Sequence, residues 1–196
     1  MQFISRNLLL LIVTTGCFSQ MGMSRHYFFD ANCDDTPAAP APQSKIFASD
    51  KFGFSIEHPS TWEARKSSSD SNAVLLTVES NATSKQVLPS FQVIVAGEKH
   101  TLDELAGFVS GAQAYLKKQS PDAIFSASED VTLDGLKAVR FSYEKVVINS
   151  LETQGFRYYA VNNGKVYMIG FFCDPLLYKQ LSEGAEKVVK TFKWTK

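Results

Sequence analysis

The most constraining feature of the sequence is a pair of aromatic segments on either side of Asn162-Asn163-Gly164. Asn-Gly tolerates the positive φ angles of a tight type I′ turn, so residues 155–173 predict a β-hairpin. Large apolar side chains occupy both alternating sets of positions on its two strands: Phe156, Tyr158, Tyr159, Val161, Tyr167, Met168, Ile169, Phe171 and Phe172. A sheet with one wet side cannot accommodate this pattern. The hairpin is therefore predicted to lie in the middle of a sheet that is covered on both faces.

Two amphipathic helices are predicted to supply that cover. The first begins at the capping box Thr101-Leu102-Asp103-Glu104 and ends at Ser120-Pro121. Its apolar residues recur at helical spacing: Leu102, Leu105, Ala106, Phe108, Val109, Ala112, Tyr115 and Leu116. The second begins at Asp174, which can cap, followed by Pro175 at the first helical position. Its stripe is Leu177, Leu181, Ala185, Val188, Val189 and Phe192.

Further strands are predicted at residues 52–56, 73–78, 91–95, 124–131 and 136–145, where apolar and polar residues alternate or Val, Leu and Ile are dense. Pro59, which donates no hydrogen bond, is expected to break the first of them, and residues 79–89 are polar and predict a loop. In the last strand, Val139, Phe141 and Tyr143 share one face and Arg140, Ser142 and Glu144 the other, which we expect to be wet. The predicted fold class is α+β: a mostly antiparallel sheet with helices on both faces, an α/β/α sandwich.

Several framework motifs carry a resemblance to a known family. The opening Phe52-Gly53-Phe54-x-Ile56-x-x-Pro59-x-x-Trp62, the segment Leu133-Asp134-Gly135-Leu136-Lys137-Ala138, the aromatic hairpin, and the closing Phe192 and Trp194 are similar to the PsbP-like superfamily, including its DcrB-like bacterial lipoproteins. The resemblance covers residues 47–194 and implies that superfamily's fold. Its members share binding to other proteins and no common reaction, so it also implies a non-enzymatic role.

The N-terminus predicts export. Residues 1–16 contain one cation, Arg6, then an apolar run at 8–13, which is typical of a signal peptide and far shorter than the ~20 residues of a membrane-spanning helix. Gly16-Cys17 resembles the lipobox of bacterial lipoproteins, although that pattern favours Leu where this chain has Thr14. The resemblance implies cleavage before Cys17, acylation of its thiol and attachment to a membrane. An ordinary secreted protein is the alternative.

The residue after the cysteine and the segment beyond it refine this expectation. Phe18 stands where the lipoprotein family uses Asp for retention in the inner membrane, so the resemblance implies the outer membrane if the cell is Gram-negative. Residues 17–44, rich in Pro and Ala near their end, predict an extended tether, and residues 45–196 the folded domain. The domain would then face the periplasm or the cell exterior.

The remaining cysteines and histidines predict little chemistry. Cys33 and Cys173 form an even pair in a compartment that permits a disulfide, but Cys33 falls in the predicted tether and Cys173 alternates into a strand, which favours burial of Cys173 as a small hydrophobe. His26, His58 and His100 are scattered and have no metal-ligand spacing with the cysteines, so no metal site is predicted.

Charge and motifs exclude several function classes. Lys plus Arg equals Asp plus Glu at 20 each, with no basic stripe, which argues against nucleic-acid binding. No phosphate-binding loop, nucleophile elbow or zinc-binding helix motif occurs, so no cofactor and no catalytic residue is predicted. The paired carboxylates Asp34-Asp35 and Glu129-Asp130 are expected to be solvated, and His58, with Ser60 and Asp70 as its nominal partners, is expected to be a turn residue.

The candidate binding residues are the hairpin aromatics Tyr158, Tyr159, Tyr167, Phe171 and Phe172, because tyrosine and phenylalanine are enriched in interfaces; burial in the core is the competing interpretation. The predicted function is an exported, lipid-anchored, non-enzymatic module that binds an unidentified protein of the cell envelope. The alternative is a carrier of a small apolar ligand, with a pocket between the hairpin and a helix. A hydrolase ranks last.

Overall fold

The structure is a computed structural model that describes residues 43–66, 73–77, 89–97 and 99–195. The predicted signal peptide, Cys17, Cys33 and nearly all of the tether lie outside these residues, and the domain boundaries stay predictions. Within the described part, no helix has the length and apolar character needed to span a bilayer.

Eleven strands and two helices make up the described chain. The strands are β1 Ser44–Ser49, β2 Phe54–Pro59, β3 Glu63–Lys66, β4 Ala73–Thr77, β5 Ser90–Ala96, β6 Ile124–Phe125, β7 Glu129–Leu133, β8 Leu136–Ile148, β9 Leu151–Asn162, β10 Lys165–Cys173 and β11 Lys193–Trp194. The helices are α1 Leu105–Gln119, which follows a 3-10 turn at Leu102–Glu104, and α2 Pro175–Lys190.

The hairpin predicted from Asn162-Asn163-Gly164 forms the centre of the larger sheet. Its strands β9 and β10 pair antiparallel, with Asn162 opposite Lys165, and Asn163 and Gly164 have φ angles of 48° and 75°. The sheet order is β3-β4-β5-β10-β9-β8-β6, and β7 also pairs with β8. A smaller sheet has the order β1-β2-β11. The fold is thus α+β, a mostly antiparallel sheet with two helices.

Alternate residues of the central strands pack into two different cores. Phe156, Tyr158 and Ala160 of β9 belong to a cluster with α2 and the small sheet. Tyr159, between them in the sequence, belongs to a cluster with Leu105, Val109 and Leu116 of α1. Both sets of side chains are buried, as the apolar pattern on both faces of the hairpin predicts.

The framework motifs close the small sheet against the large one. Phe54 of β2 stacks on Phe192 at a centroid distance of 5.2 Å, and Phe192 meets the Trp194 ring edge-on at 4.8 Å. Asp134, in the β7–β8 turn, accepts hydrogen bonds from the Lys193 Nζ at 2.7 Å and from the Trp194 N–H at 2.9 Å. The Leu-Asp-Gly turn therefore fastens the C-terminal strand.

Several strand predictions need correction. Strand β2 does not break before Pro59 but ends on it, opposite Ser44, where the missing N–H removes a hydrogen bond only at the strand end. Strands β1, β3 and β11 are short and were not predicted. The predicted strand at 124–131 is two pieces, β6 and β7, which both pair with β8.

The strand predicted at 136–145 extends to Ile148. A bulge between Tyr143 and Val146, at which Lys145 has a φ of 56°, lets the pairing of β8 with β9 resume as far as Leu151. An alternation pattern cannot follow a strand through such a bulge, because the extra residue reverses the faces that subsequent residues occupy.

Candidate functional site

The five candidate aromatics of the hairpin are not one surface. Tyr158, Tyr159, Tyr167 and Phe171 are buried in the two cores, and Phe172 is half-buried beside the α1 cluster. The tyrosine hydroxyls also have internal partners. Tyr167 donates to the Phe52 carbonyl oxygen at 2.6 Å, and Tyr159 accepts from the Arg157 Nη1 at 3.4 Å. Only Phe172 of the five is accessible enough to take part in binding without rearrangement of the core.

Cys173 lies fully buried at the end of β10, with a free thiol. Burial, with a smaller contribution from the negative charge of Asp174, raises its pKa to about 12. The thiol is therefore protonated at neutral pH and a poor nucleophile. Since Cys33 is outside the described residues, the disulfide stays a prediction.

The described histidines, His58 and His100, and the carboxylate pair Glu129-Asp130 serve local structure, whereas His26 and Asp34-Asp35 lie outside the described residues. The expectation that His58 is a turn residue is wrong: strand β2 runs on to Pro59, and His58 is buried in it, opposite Lys45. Its Nδ1 lies 2.9 Å from the Pro59 carbonyl oxygen, and Asp70 is outside the described residues. Glu129 approaches Arg140, whereas Asp130 contacts the Lys137 Nζ at 3.0 Å, so these two carboxylates do not converge on one cation. Among the described residues, no group of three or more His, Cys, Asp or Glu side chains is arranged to hold a metal ion.

His100 belongs to the N-terminus of α1. Its Nδ1 lies 3.1 Å from the Glu104 Oε2, which also accepts the Thr101 N–H at 3.0 Å. These hydrogen bonds, that from Thr101 first, lower the pKa of Glu104. The imidazole ring also meets the Phe108 ring edge-on, with centroids 4.7 Å apart. The predicted capping box is thus present at Thr101 and Glu104, and His100 packs beside it.

The main polar cluster joins β8, β9 and α2. Arg140 on β8 donates from Nε and Nη2 to the Glu186 Oε1 of α2, at 3.0 and 2.7 Å. The Tyr158 hydroxyl donates to the other carboxylate oxygen of Glu186. The Arg140 guanidinium also lies over the rings of Phe156 and Tyr158, with its Cζ 5.7 and 5.8 Å from their centroids. Glu186 thereby has a partner for each oxygen.

The electrostatics of this cluster suit anchoring more than proton transfer. Burial, together with the hydrogen bond to Glu186, raises the pKa of the Tyr158 hydroxyl well above its usual range. Burial disfavours the charge on Arg140, but the interactions with Glu186 outweigh that effect, and its pKa is raised. The guanidinium stays charged and the phenol neutral at any physiological pH. The face of β8 expected to be wet is thus half-buried at Arg140, because α2 supplies its counter-ion.

The structure also shows a surface that the sequence analysis did not identify. Beside α2, apolar side chains are exposed at the edge of the large sheet: Ile124 on β6 is 50% exposed and Val147 on β8 is 46% exposed. Each lies opposite a glutamate in the strand register, Ile124 opposite Glu144 and Val147 opposite Glu152. Val147 reaches this face only through the bulge in β8, which simple alternation in the sequence does not predict.

Comparison with known proteins supports the fold by structure alone. No protein-family model and no curated protein matches the sequence. The solution structure of cyanobacterial PsbP (CyanoP) from Synechocystis is similar over 83% of this chain and 98% of its own, at 14% identity and a TM-score of 0.59. LpqN, described as involved in cell envelope biogenesis of Mycobacterium tuberculosis, is similar over 82% and 88%, at 15% identity and a TM-score of 0.57.

A third similar structure is the protein of unknown function PA94 from Pseudomonas aeruginosa, with 14% identity, a TM-score of 0.52 and coverage of 76% of this chain and 94% of its own. At these sequence identities, the three similar structures establish the fold alone. They confirm that this chain has the PsbP-like fold that its framework motifs indicated.

Proposed function

We propose that this chain is an exported, lipid-anchored and non-enzymatic protein that binds another protein of the cell envelope. The observation that carries the proposal is the combination of a lipobox-like Gly16-Cys17 with a PsbP-like domain beyond it. The fold is shared with LpqN, whose description places that protein in envelope biogenesis. Such a protein would be tethered by acyl chains on Cys17 and would face the periplasm or the cell exterior.

A non-enzymatic role is supported by the partners of the reactive side chains. Within the described residues, the Cys173 thiol is buried with a raised pKa, and Arg140, Glu186 and Tyr158 bind one another. An active site requires such groups to converge on a cleft with a titration suited to the reaction. Here Arg140 and Tyr158 of the sheet instead hold Glu186 of α2.

The proposal takes the domain as an α/β/α sandwich, with α1 and α2 on opposite faces of the large sheet. Because buried positions on β9 alternate between the two helix clusters, this arrangement accounts for the burial of both faces. With both faces covered, the sheet edges and the exposed ends of strands would be left for the partner to bind. Nucleic acid is not among the proposed partners.

Crosslinking in intact cells tests the binding role. A photo-reactive residue would be placed at exposed positions around the domain, one position per variant, in the full chain with its native N-terminus. We expect one envelope protein to be captured from a contiguous set of positions and to be lost when Cys17→Ser releases the chain from the membrane. Capture of different abundant proteins from every position, with no contiguous set, would refute the proposed function.

A further inference from the structure

The large sheet is unequally covered on the side where α2 packs. Helix α2 lies against β9 and β10, and the small sheet continues that layer through Phe54 and Ile56 of β2 and through Phe52 in the β1–β2 turn. On the other side of α2, towards β8 and β6, the exposed side chains Ile124 and Val147 mark a part of the sheet edge that is open. We call Ile124, Glu144, Val147 and Glu152 the edge surface.

The strand register places these four side chains on one face. Directly opposed residues of antiparallel strands project to the same side of a sheet, which pairs Ile124 with Glu144 and Val147 with Glu152. The Gln154 Nε2 donates to the Glu144 Oε1 at 3.3 Å, and Gln154 and Glu152 are alternate residues of β9, so they share a face. Phe156, next in the same alternation, packs in the cluster that contains α2.

The edge surface combines exposed apolar area with negative charge. Ile124 and Val147 are two of the five large hydrophobic side chains that are exposed among the described residues. Clustered exposed hydrophobic side chains are typical of interaction sites. Glu144 and Glu152, their neighbours across the strands, are both exposed.

The nearby charges on this side of the sheet balance one another. Glu129 and Glu186 lie further along the same face, where they flank Arg140 at 3.9 and 2.7 Å. Lys145 belongs to the bulge next to Glu144. The charges of Glu129 and Glu186 are thus offset by those of Arg140 and Lys145, and the negative charge of the edge surface comes from Glu144 and Glu152.

We propose that the edge surface binds a cationic segment of a partner protein in which Lys or Arg residues alternate with aliphatic ones. The aliphatic side chains would cover Ile124 and Val147, and the cations would pair with Glu144 and Glu152. Complementary charge steers association, whereas the apolar contacts supply the buried area. The inference rests on the proposed protein-binding function and specifies the partner's chemistry.

The probe is a fluorescently labelled peptide of alternating lysine and leucine, titrated with the mature full chain while its anisotropy is followed. We expect saturable binding that weakens as salt is added. The double change Glu144→Gln and Glu152→Gln should weaken it about fivefold, since each exposed ion pair contributes modestly. Val147→Ser should weaken it as well. Glu183→Gln is the matched control, because Glu183 is an exposed carboxylate of α2 that pairs with Lys187.

Equal binding by the double variant and by Glu183→Gln would overturn the inference, as would equal binding of a peptide of alternating glutamate and leucine. Absence of any binding of the lysine-leucine peptide would overturn it too. For the crosslinking test in cells, the same double variant would carry the photo-reactive residue at a position outside the edge surface. If the envelope partner is still captured there in undiminished amount, the edge-surface inference fails while the proposed function stands.

Discussion

Gly155, in the middle of β9, offers the sharpest test of the packing at the centre of the sheet. A Cβ atom built on it would lie 2.2 Å from the Phe171 carbonyl oxygen and 2.7 Å from the Tyr143 hydroxyl oxygen. Neither neighbour can move freely, because the Phe171 oxygen belongs to the backbone of the adjacent strand and the Tyr143 side chain is fully buried. The Gly155→Ala variant must therefore displace a central strand or eject a core tyrosine.

The magnitude follows from the cost of overpacking a close-packed core, typically 1–3 kcal/mol and occasionally more. Because the nearest atom belongs to the backbone, we expect the upper part of that range, about 2–3 kcal/mol. For a domain of this size each kcal/mol lowers the melting temperature by roughly 2–4 °C, which gives a decrease of about 4–12 °C. Gly111→Ala on α1 is the control, since a Cβ there would have no atom within 4 Å.

Thermal and urea unfolding of the two variants and the parent chain, followed by far-UV circular dichroism, measure the difference. Gly111→Ala should raise stability by about 0.5–1 kcal/mol, as expected for alanine in place of glycine within a helix. The two glycine-to-alanine changes are thus expected to have opposite signs. A Gly155→Ala variant as stable as the parent would show that β9 and β10 do not pack as described.

Three further predictions concern the polar and thiol groups. Glu186→Gln should destabilise the domain by about 1–2 kcal/mol in urea unfolding, because Arg140 loses the nearer of its two charged partners; an unchanged midpoint would contradict an anchoring role. After reduction, Cys173 should resist a thiol reagent in the native state and react in urea. The free energy of unfolding should also fall as the pH rises from 9 towards about 12, since a buried thiol with a raised pKa favours the folded state only while it is protonated. Asp134→Asn should lower the melting temperature at neutral pH, and the difference from the parent chain should disappear in acid. The hydrogen bond from Lys193, and after it that from the Trp194 N–H, lowers the pKa of Asp134. The stabilisation by this carboxylate is therefore present above its ordinary pKa of 3.8 and is lost as the pH falls through its lowered pKa in the folded state. A difference that persists in acid would mean that the charge of Asp134 is irrelevant.

Local signals predicted the centre of the fold well. Asn163-Gly164 fixed the turn, and Asp174 does cap α2 by accepting the Leu176 N–H at 2.9 Å. The two-faced aromatic pattern correctly indicated a central, covered hairpin. Such features depend on residues a few positions apart, so one sequence contains all the information that they need.

The sheet margins and the surface could not be predicted in this way. Strand β1, Ser44–Ser49, is mostly exposed and has no regular alternation of apolar and polar residues, and β11 consists of two residues. The role of Arg140 depends on Glu186, 46 positions away, which α2 brings to it. The place of Val147 in the edge surface depends on the bulge between Tyr143 and Val146, which a period-2 pattern cannot follow.

The intact mass of the protein purified from cell membranes tests the central claim most directly. Tandem mass spectrometry of its first peptide would locate any modification. We expect a chain that begins at Cys17 and has acyl groups on that residue, and a Cys17→Ser variant that is no longer recovered with the membranes. A chain that still begins at Met1 and is found in the cytosol would contradict the account.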